Sequence, residues 1–189
     1  MKKKFLTGKL QTTFAVYRID RENIGITDRT GFLLEPGDQE SRGVEVDIAA
    51  EPLPRFRIFF AYAYNDSELT KFFEEDLATG DLVDRSGNKA PYAPENLLNL
   101  WLSKSFRSGF GVGGGARYFS EQYFNAANTF EIDGATVLNA ALFYDLPNWR
   151  FQLNFDNLTD AEYETGSFAS SSVVPAPGSR IYGTVEFRF

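Results

Sequence analysis

The sequence contains no cysteine and no histidine. Disulfide scaffolds, thiolate nucleophiles, serine–histidine triads and histidine-ligated metals are therefore ruled out. Missing too is any apolar run near the roughly 20 residues that a membrane-crossing helix requires. The longest such run is Ile58 to Tyr64, so a membrane could be met only by a barrel or at its surface. The start Met1-Lys2-Lys3-Lys4 imitates the basic region of a secretory leader. Thr7, Gly8, Lys9, Gln11, Thr12 and Thr13 interrupt the apolar core that should follow, and no signal peptide is expected. Basic residues are outnumbered, 19 Lys and Arg against 26 Asp and Glu, and the net charge of −7 argues against a nucleic-acid partner. Gly111, Gly113, Gly114 and Gly115 are dense, but their spacing is not that of a phosphate-cradling loop and no helix follows them. No carboxylate pair sits in a setting that suggests acid–base catalysis. Neither enzyme activity nor a cofactor is expected.

Large rings and alternation are abundant. Aromatics make up 16% of the chain, with 19 Phe and 9 Tyr. Hydrophobic residues reach 43%, yet the mean hydropathy is −0.30, so apolar and polar positions must interleave. They do so with period two. Trp149, Phe151, Leu153 and Phe155 fall on one side, with Arg150, Gln152, Asn154 and Asp156 on the other. A helix would mix the two sets around its axis; a strand separates them. Ile181, Gly183, Val185, Phe187 and Phe189 repeat the pattern against Tyr182, Thr184, Glu186 and Arg188. Similar rows run through Val44-Val46-Ile48, Ile58-Phe60-Tyr62-Tyr64, Leu98-Leu100-Leu102, Phe110-Val112-Tyr118 and Leu138-Leu142-Tyr144. The pattern predicts eight strands, at about 8–21, 39–51, 54–69, 95–106, 109–122, 134–146, 149–158 and 179–189. Many reach the roughly 9–11 residues that a tilted strand needs to cross a bilayer.

The connections carry more information than the strands. Short links at 51–54, 106–109 and 146–148 alternate with long polar ones at 22–38, 70–94, 123–133 and 159–178. Outer-membrane barrels have that asymmetry, with short periplasmic turns and long extracellular loops. Alternation of faces alone also suits a soluble sandwich; loop asymmetry, strand length and the aromatic load favour the barrel.

The stretch Asn154-Phe155-Asp156-Asn157-Leu158-Thr159-Asp160-Ala161-Glu162-Tyr163 resembles the N-x-x-N-L-x-D-x-x-Y motif on the penultimate strand of TonB-dependent receptors. Pro175-Ala176-Pro177-Gly178-Ser179-Arg180 resembles the family's approach to its last strand. Phe14 to Arg21, Glu40 to Glu45 and Ala90 to Asn96 resemble family strands in order and spacing. The likeness runs almost the full length and is nearest to the siderophore-receptor branch. It implies an all-β fold: an antiparallel up-and-down meander of about eight long strands, forming a curved part of a transmembrane barrel of about 22 strands. The whole of 1–189 is then expected to be the C-terminal part of that barrel, with the plug, the TonB box and about fourteen strands outside it. Met1 to Phe5 reads as a stub of the preceding strand, and Leu6-Thr7-Gly8-Lys9 as its turn.

By the same resemblance the parent protein would sit in the cell outer membrane of a Gram-negative bacterium and import a ferric siderophore in a TonB-dependent manner. Its expected partners are outer-membrane lipid, TonB and the barrel-assembly machinery. The row Ile181, Val185, Phe187 and Phe189 looks like the signal that this machinery reads. Arg150 and Asn154, with Asp156, either line a substrate path or hydrogen-bond one another and a plug. Tyr118, Tyr123, Phe124 and Phe130 either grip a chelate near the loops or belong to an aromatic girdle. Glu74, Glu75, Asp76, Asp81 and Asp84 crowd one loop without the spacing of a calcium loop, and read as a solvated acidic segment. Two other classes remain. A self-closing eight-stranded barrel, used for adhesion or membrane integrity, would pair 9–21 with 180–189. A soluble carbohydrate-binding sandwich would bury Phe151, Leu153 and Phe155 against a second sheet.

Overall fold

The computed structural model describes residues 2–5, 9–28, 30–76, 78–169 and 172–189. Among the described residues, fifteen strands follow one another. They are β1 Lys2–Phe5, β2 Leu10–Ile24, β3 Gly37–Leu53, β4 Phe56–Lys71, β5 Phe73–Glu75, β6 Leu82–Asp84, β7 Asn96–Ser105 and β8 Phe110–Phe119. After these come β9 Gln122–Tyr123, β10 Glu131–Ile132, β11 Ala135–Asp145, β12 Trp149–Asp156, β13 Glu164–Ala169, β14 Ser172–Pro175 and β15 Arg180–Phe187. Nine of them form one sheet in the order β1-β2-β3-β4-β7-β8-β11-β12-β15. All of its pairings are antiparallel, each between strands that meet through one connection. Short turns leave no room for a crossover, which is why the order is a meander.

The eight expected strands all form, with ends displaced by a few residues. The first of them, β2, is paired on its outer side by β1, the expected stub of a preceding strand. Of the turn expected at 6–9, residues 6–8 lie outside the described residues. The long connections were expected to be plain loops. Three of them instead carry two-stranded ribbons, β5–β6, β9–β10 and β13–β14, while that between β2 and β3 holds a bridge from Thr27 to Leu33.

The short turns follow local chemistry. Pro54 and Arg55 link β3 to β4, with Arg55 at φ 61° and its amide donating to Glu51 Oε1 at 2.9 Å. Between β7 and β8, Gly109 adopts φ 88°, and a Cβ there would stand 2.3 Å from the Asp145 carbonyl oxygen. Only glycine fits that corner.

The register sorts the side chains into two faces. One cross-strand row joins Val112, Leu142, Leu153 and Gly183, and another joins Phe14, Val46, Tyr62, Leu98 and Tyr118. These apolar rows are not covered. Val16 is 70% exposed, Ile181 68%, Phe151 42% and Leu153 39%. In water, each such side chain forgoes about 1.5–3 kcal/mol of burial, which a lipid surround would restore. The opposite, polar face bends around a trough of about 340 Å³ that runs across β2, β3, β4, β7, β8 and β11. Along β12 the apolar side chains Trp149, Phe151 and Leu153 are exposed, whereas Arg150, Gln152 and Asn154 are half-buried.

Among the described residues, one cluster of buried apolar side chains lies at the loop end. Leu69, Ala90 and Ala126 form it, with Phe72 and Ala93 packed around them. Phe151 and Leu153 meet no second sheet, so the sandwich reading fails. Among the described residues β15 pairs only with β12, and β2 with β1 and β3, so the sheet does not close on itself as an eight-stranded barrel would.

Candidate luminal face and loop platform

The concave polar face is built from strand parity. Gln11, Asp47, Phe59, Asn99, Trp101, Arg117 and Asn139 line the trough. A second hollow of about 360 Å³, nearer the short turns, is lined by Arg57, Ser103, Phe143, Asp145, Arg150 and Gln152 among others. Two large rings lie flat against the sheet here because β8 is rich in glycine. A Cβ on Gly113 would come 2.7 Å from Trp101 Cζ2, one on Gly115 2.7 Å from Trp101 Cε3, and one on Gly111 2.1 Å from Phe143 Cε2. Three of the four glycines that resembled no phosphate loop, Gly111, Gly113 and Gly115, are a bed for Trp101 and Phe143.

Arg150 and Asn154 are brought together on this face. Arg150 lies 3.3 Å from Asp145 and 4.7 Å above the Phe143 ring, and its Nη2 donates to Gln152 Oε1 at 3.4 Å. Gln152 Nε2 in turn donates to Asn154 Oδ1 at 2.6 Å. Asp145, Arg150, Gln152 and Asn154 thus form one hydrogen-bonded ladder along the face.

At the loop end, the connections β4–β7 and β8–β11 are tied into one platform. Asn88 Nδ2 donates to the Ala126 carbonyl at 2.7 Å, and the Lys89 amide donates to Asn128 Oδ1 at 2.8 Å. Asn128 Nδ2 donates back to the Lys89 carbonyl at 2.9 Å. The Lys89 ammonium lies 2.7 Å from Asp66 and 2.5 Å from Glu95, and these two hydrogen-bonded carboxylates push its pKa up. Phe124 is buried, stacked on Phe130 at 5.1 Å and edge-on to Tyr92 at 5.4 Å. Tyr123 joins through its backbone, accepting from the Tyr92 amide at 2.9 Å. The four aromatics named from sequence thus separate. Tyr123, Phe124 and Phe130 meet in the platform, where Phe124 is 6% exposed and packed between Tyr92 and Phe130. Tyr118 faces the other way, in the apolar row with Leu98. Sequence reasoning missed Tyr92, whose φ of 59° breaks no visible pattern.

In the acidic loop, Arg85 reaches Glu74 at 3.0 Å and Asp76 at 3.4 Å. Asp76 also accepts from the amides of Ala78 and Thr79, and these bonds hold its pKa below the usual carboxylate range.

The C-terminal motif forms a clasp. Asn157 is buried at φ 51°, with its side chain paired both ways to Ala161: Nδ2 donates to the Ala161 carbonyl at 2.9 Å and Oδ1 accepts from the Ala161 amide at 2.8 Å. Asp160 Oδ1 accepts from the Ser179 amide at 2.7 Å, and Ser179 Oγ donates to the Asn157 carbonyl at 2.5 Å. Gly178 is needed beside them, since a Cβ would stand 2.7 Å from Asp160 Oδ1. Arg180 then meets Asp156 at 3.2 Å, which begins the β12–β15 pairing. Beyond it Ile181, Val185 and Phe187 lie on the apolar face. Phe187 packs against Trp149 at 4.6 Å, and Phe189 is fully exposed.

Residues 2–158 match the family described as TonB dependent receptor-like, beta-barrel. The chain is 29% identical to the probable TonB-dependent siderophore receptor PiuA of Acinetobacter baumannii, with 98% of the chain and 25% of the relative covered. It is 28% identical to the ferrichrome outer membrane transporter/phage receptor of Escherichia coli K12, covering 94% of the chain and 24% of that protein. Among solved structures, the siderophore receptor PiuA superposes with a TM-score of 0.85 at 28% identity, over 98% of this chain and 27% of that one. The ferric citrate transporter FecA, at 17% identity, shares the fold with a TM-score of 0.80, over 96% of this chain and 29% of that one. The chain thus spans about a quarter of the length of the relatives it matches. With strands, faces, clasp and loop asymmetry in agreement, the chain belongs to the TonB-dependent receptor-like β-barrel family and is a segment of an outer-membrane barrel.

Proposed function

We propose that this segment is the C-terminal end of a receptor that imports a ferric siderophore across the outer membrane in a TonB-dependent manner. The observation that carries the reading is the reversal of the two faces. Apolar rows point outward and uncovered, while Gln11, Asp47, Asn99, Arg117 and Asn139 lie with Phe59 and Trp101 along a trough on the other side, as a lipid-embedded wall around a wet lumen requires. The names of the relatives, which include receptors for siderophores and for ferrioxamine B, support the substrate class. Outer-membrane lipid would cover the apolar face, and TonB would act through parts of the receptor beyond this segment. The row Ile181, Val185, Phe187 and Phe189 would serve recognition by the barrel-assembly machinery.

The test is uptake of radioactive iron by an iron-starved host, with and without the gene that carries this segment and with and without TonB. Accumulation from at least one ferric siderophore should require both. Uptake that persists without the gene for every chelate tried would overturn the reading.

A further inference from the structure

Arg117 stands apart from the ion-paired arginines in and beside the sheet. Arg18, Arg42, Arg150, Arg180 and Arg188 each lie against a carboxylate. Among the described residues, no carboxylate lies in ion-pair contact with Arg117, and its contacts are of another kind. Its Nη2 donates to the Tyr163 hydroxyl at 3.4 Å. Its guanidinium carbon stands 5.5 Å from the Phe119 ring centroid and 5.8 Å from that of Tyr163. Those two rings meet edge to face at 5.4 Å, and Phe119 is buried, so they make a fixed cradle. An aromatic cradle orients a guanidinium without neutralising it. The planar fork has five N–H donors and keeps its charge at any physiological pH; one of those donors is used here, by a long bond.

The position is also unusual. Arg117 borders two hollows at once, the 340 Å³ trough and a smaller one of about 200 Å³ lined by Asn139, Asp156, Tyr163, Gly178 and Arg180 among others. The next residue, Tyr118, lies on the lipid-side face in the last apolar row before the loops. Arg117 therefore stands where the lumen opens toward the loop platform. Its neighbours in the trough supply the rest of a recognition surface. Asn99 and Asn139 carry amide donors, and Trp101 lies flat below them.

We propose that Arg117 is an anion-recognition group of the lumen, taking the anionic carboxylate or catecholate oxygens at the edge of an incoming ferric chelate. The inference rests on the import reading above and narrows it to chelates of negative charge. The alternative occupant is a carboxylate from another segment of the same receptor, held in the lumen as a structural contact. The position argues for the chelate, because Arg117 is near the open end and borders both hollows.

The experiment uses the full-length receptor that contains this segment, purified in detergent, as wild type, Arg117→Gln and Arg117→Lys. Two iron complexes serve as probes, a trianionic ferric tris-catecholate and a cationic ferric trihydroxamate. Affinity is read by quenching of tryptophan fluorescence, and the amount of receptor in outer-membrane fractions by immunoblot. Loss of a charge-assisted pair should weaken the anionic probe roughly 10- to 100-fold in the Gln variant. The Lys variant, which keeps charge but loses the fork, should fall between. Affinity for the cationic probe should hold or rise. Equal losses for both probes, or none for the anionic one, overturn the proposal. So does a fall in receptor amount with affinities unchanged, which marks a structural contact. A wild type that binds only the cationic probe also overturns it, whereas one that binds neither removes the import reading itself.

Discussion

Replacing Leu153 with Arg should be far more costly than replacing its neighbour Gln152 with Arg, although the two positions are adjacent. Leu153 points from the apolar face, in register with Leu142 and Gly183. It lies four residues along β12 from Trp149, which stacks with Phe151 and packs tilted against Phe187 at the short-turn end. Four residues rise about 14 Å along the strand, or about 10 Å in height at a tilt near 40°. An apolar band about 25 Å tall therefore has Leu153 close to its middle. A guanidinium there must snorkel or drag water with it, at a cost of about 2–4 kcal/mol. Gln152 points into the lumen, where Arg150 and Asn154 bond it. An arginine there cannot accept the bond from Arg150, worth about 1 kcal/mol, and stays hydrated. Urea titration of the full-length receptor folded into lipid vesicles measures both costs. Equal costs at the two positions would refute the assignment of faces.

Asn157→Ala should loosen the clasp, removing two side-chain bonds to Ala161 at a buried site, for about 2–3 kcal/mol; vesicle unfolding would report it, and a change below about 0.5 kcal/mol would show the clasp to be dispensable. Deleting Phe189 from the full-length receptor should sharply lower the amount reaching the outer membrane, while Phe189→Tyr should not. Immunoblots of membrane fractions decide this, and unchanged levels in the deletion would reduce the terminal ring to packing. In the β2–β3 loop, Asp28 Oδ1 accepts from Thr30 Oγ1 at 2.7 Å and from the amides of Thr30 at 2.8 Å and Phe32 at 3.0 Å, which holds its pKa below the usual carboxylate value. A depressed pKa means the bonds contribute fully above the unfolded value and are lost as pH falls through the folded one. Amide exchange at Thr30 and Phe32, compared with Asp28→Asn at matched pH, should show protection in the wild type near neutrality that is lost in the variant and on strong acidification; equal protection in both proteins would refute it.

Much of the architecture was legible in the sequence because it is local. Period two in Trp149 to Asp156 requires a strand with two unlike faces, and a turn as short as Pro54-Arg55 forces its flanking strands to be antiparallel neighbours. A chain of such hairpins can only be a meander. The outward direction of Tyr118 was also readable, since it shares the parity of Val112 and opposes that of Arg117. What parity cannot say is how far side chains from distant segments reach one another. The ribbons β5–β6, β9–β10 and β13–β14 lack any run of alternation long enough to register. Phe124 is buried only because Tyr92 and Phe130 come to it from either side. Trp101 and Phe143 lie flat only because a neighbouring strand offers glycine at the matching register. Arg117 and Tyr163 are 46 residues apart, and nothing in either segment announces the other. Strand, face and turn follow from neighbouring residues along the chain, whereas the cradle around Arg117 depends on the loop after β12 folding back over β8, a contact that only the tertiary structure could bring about.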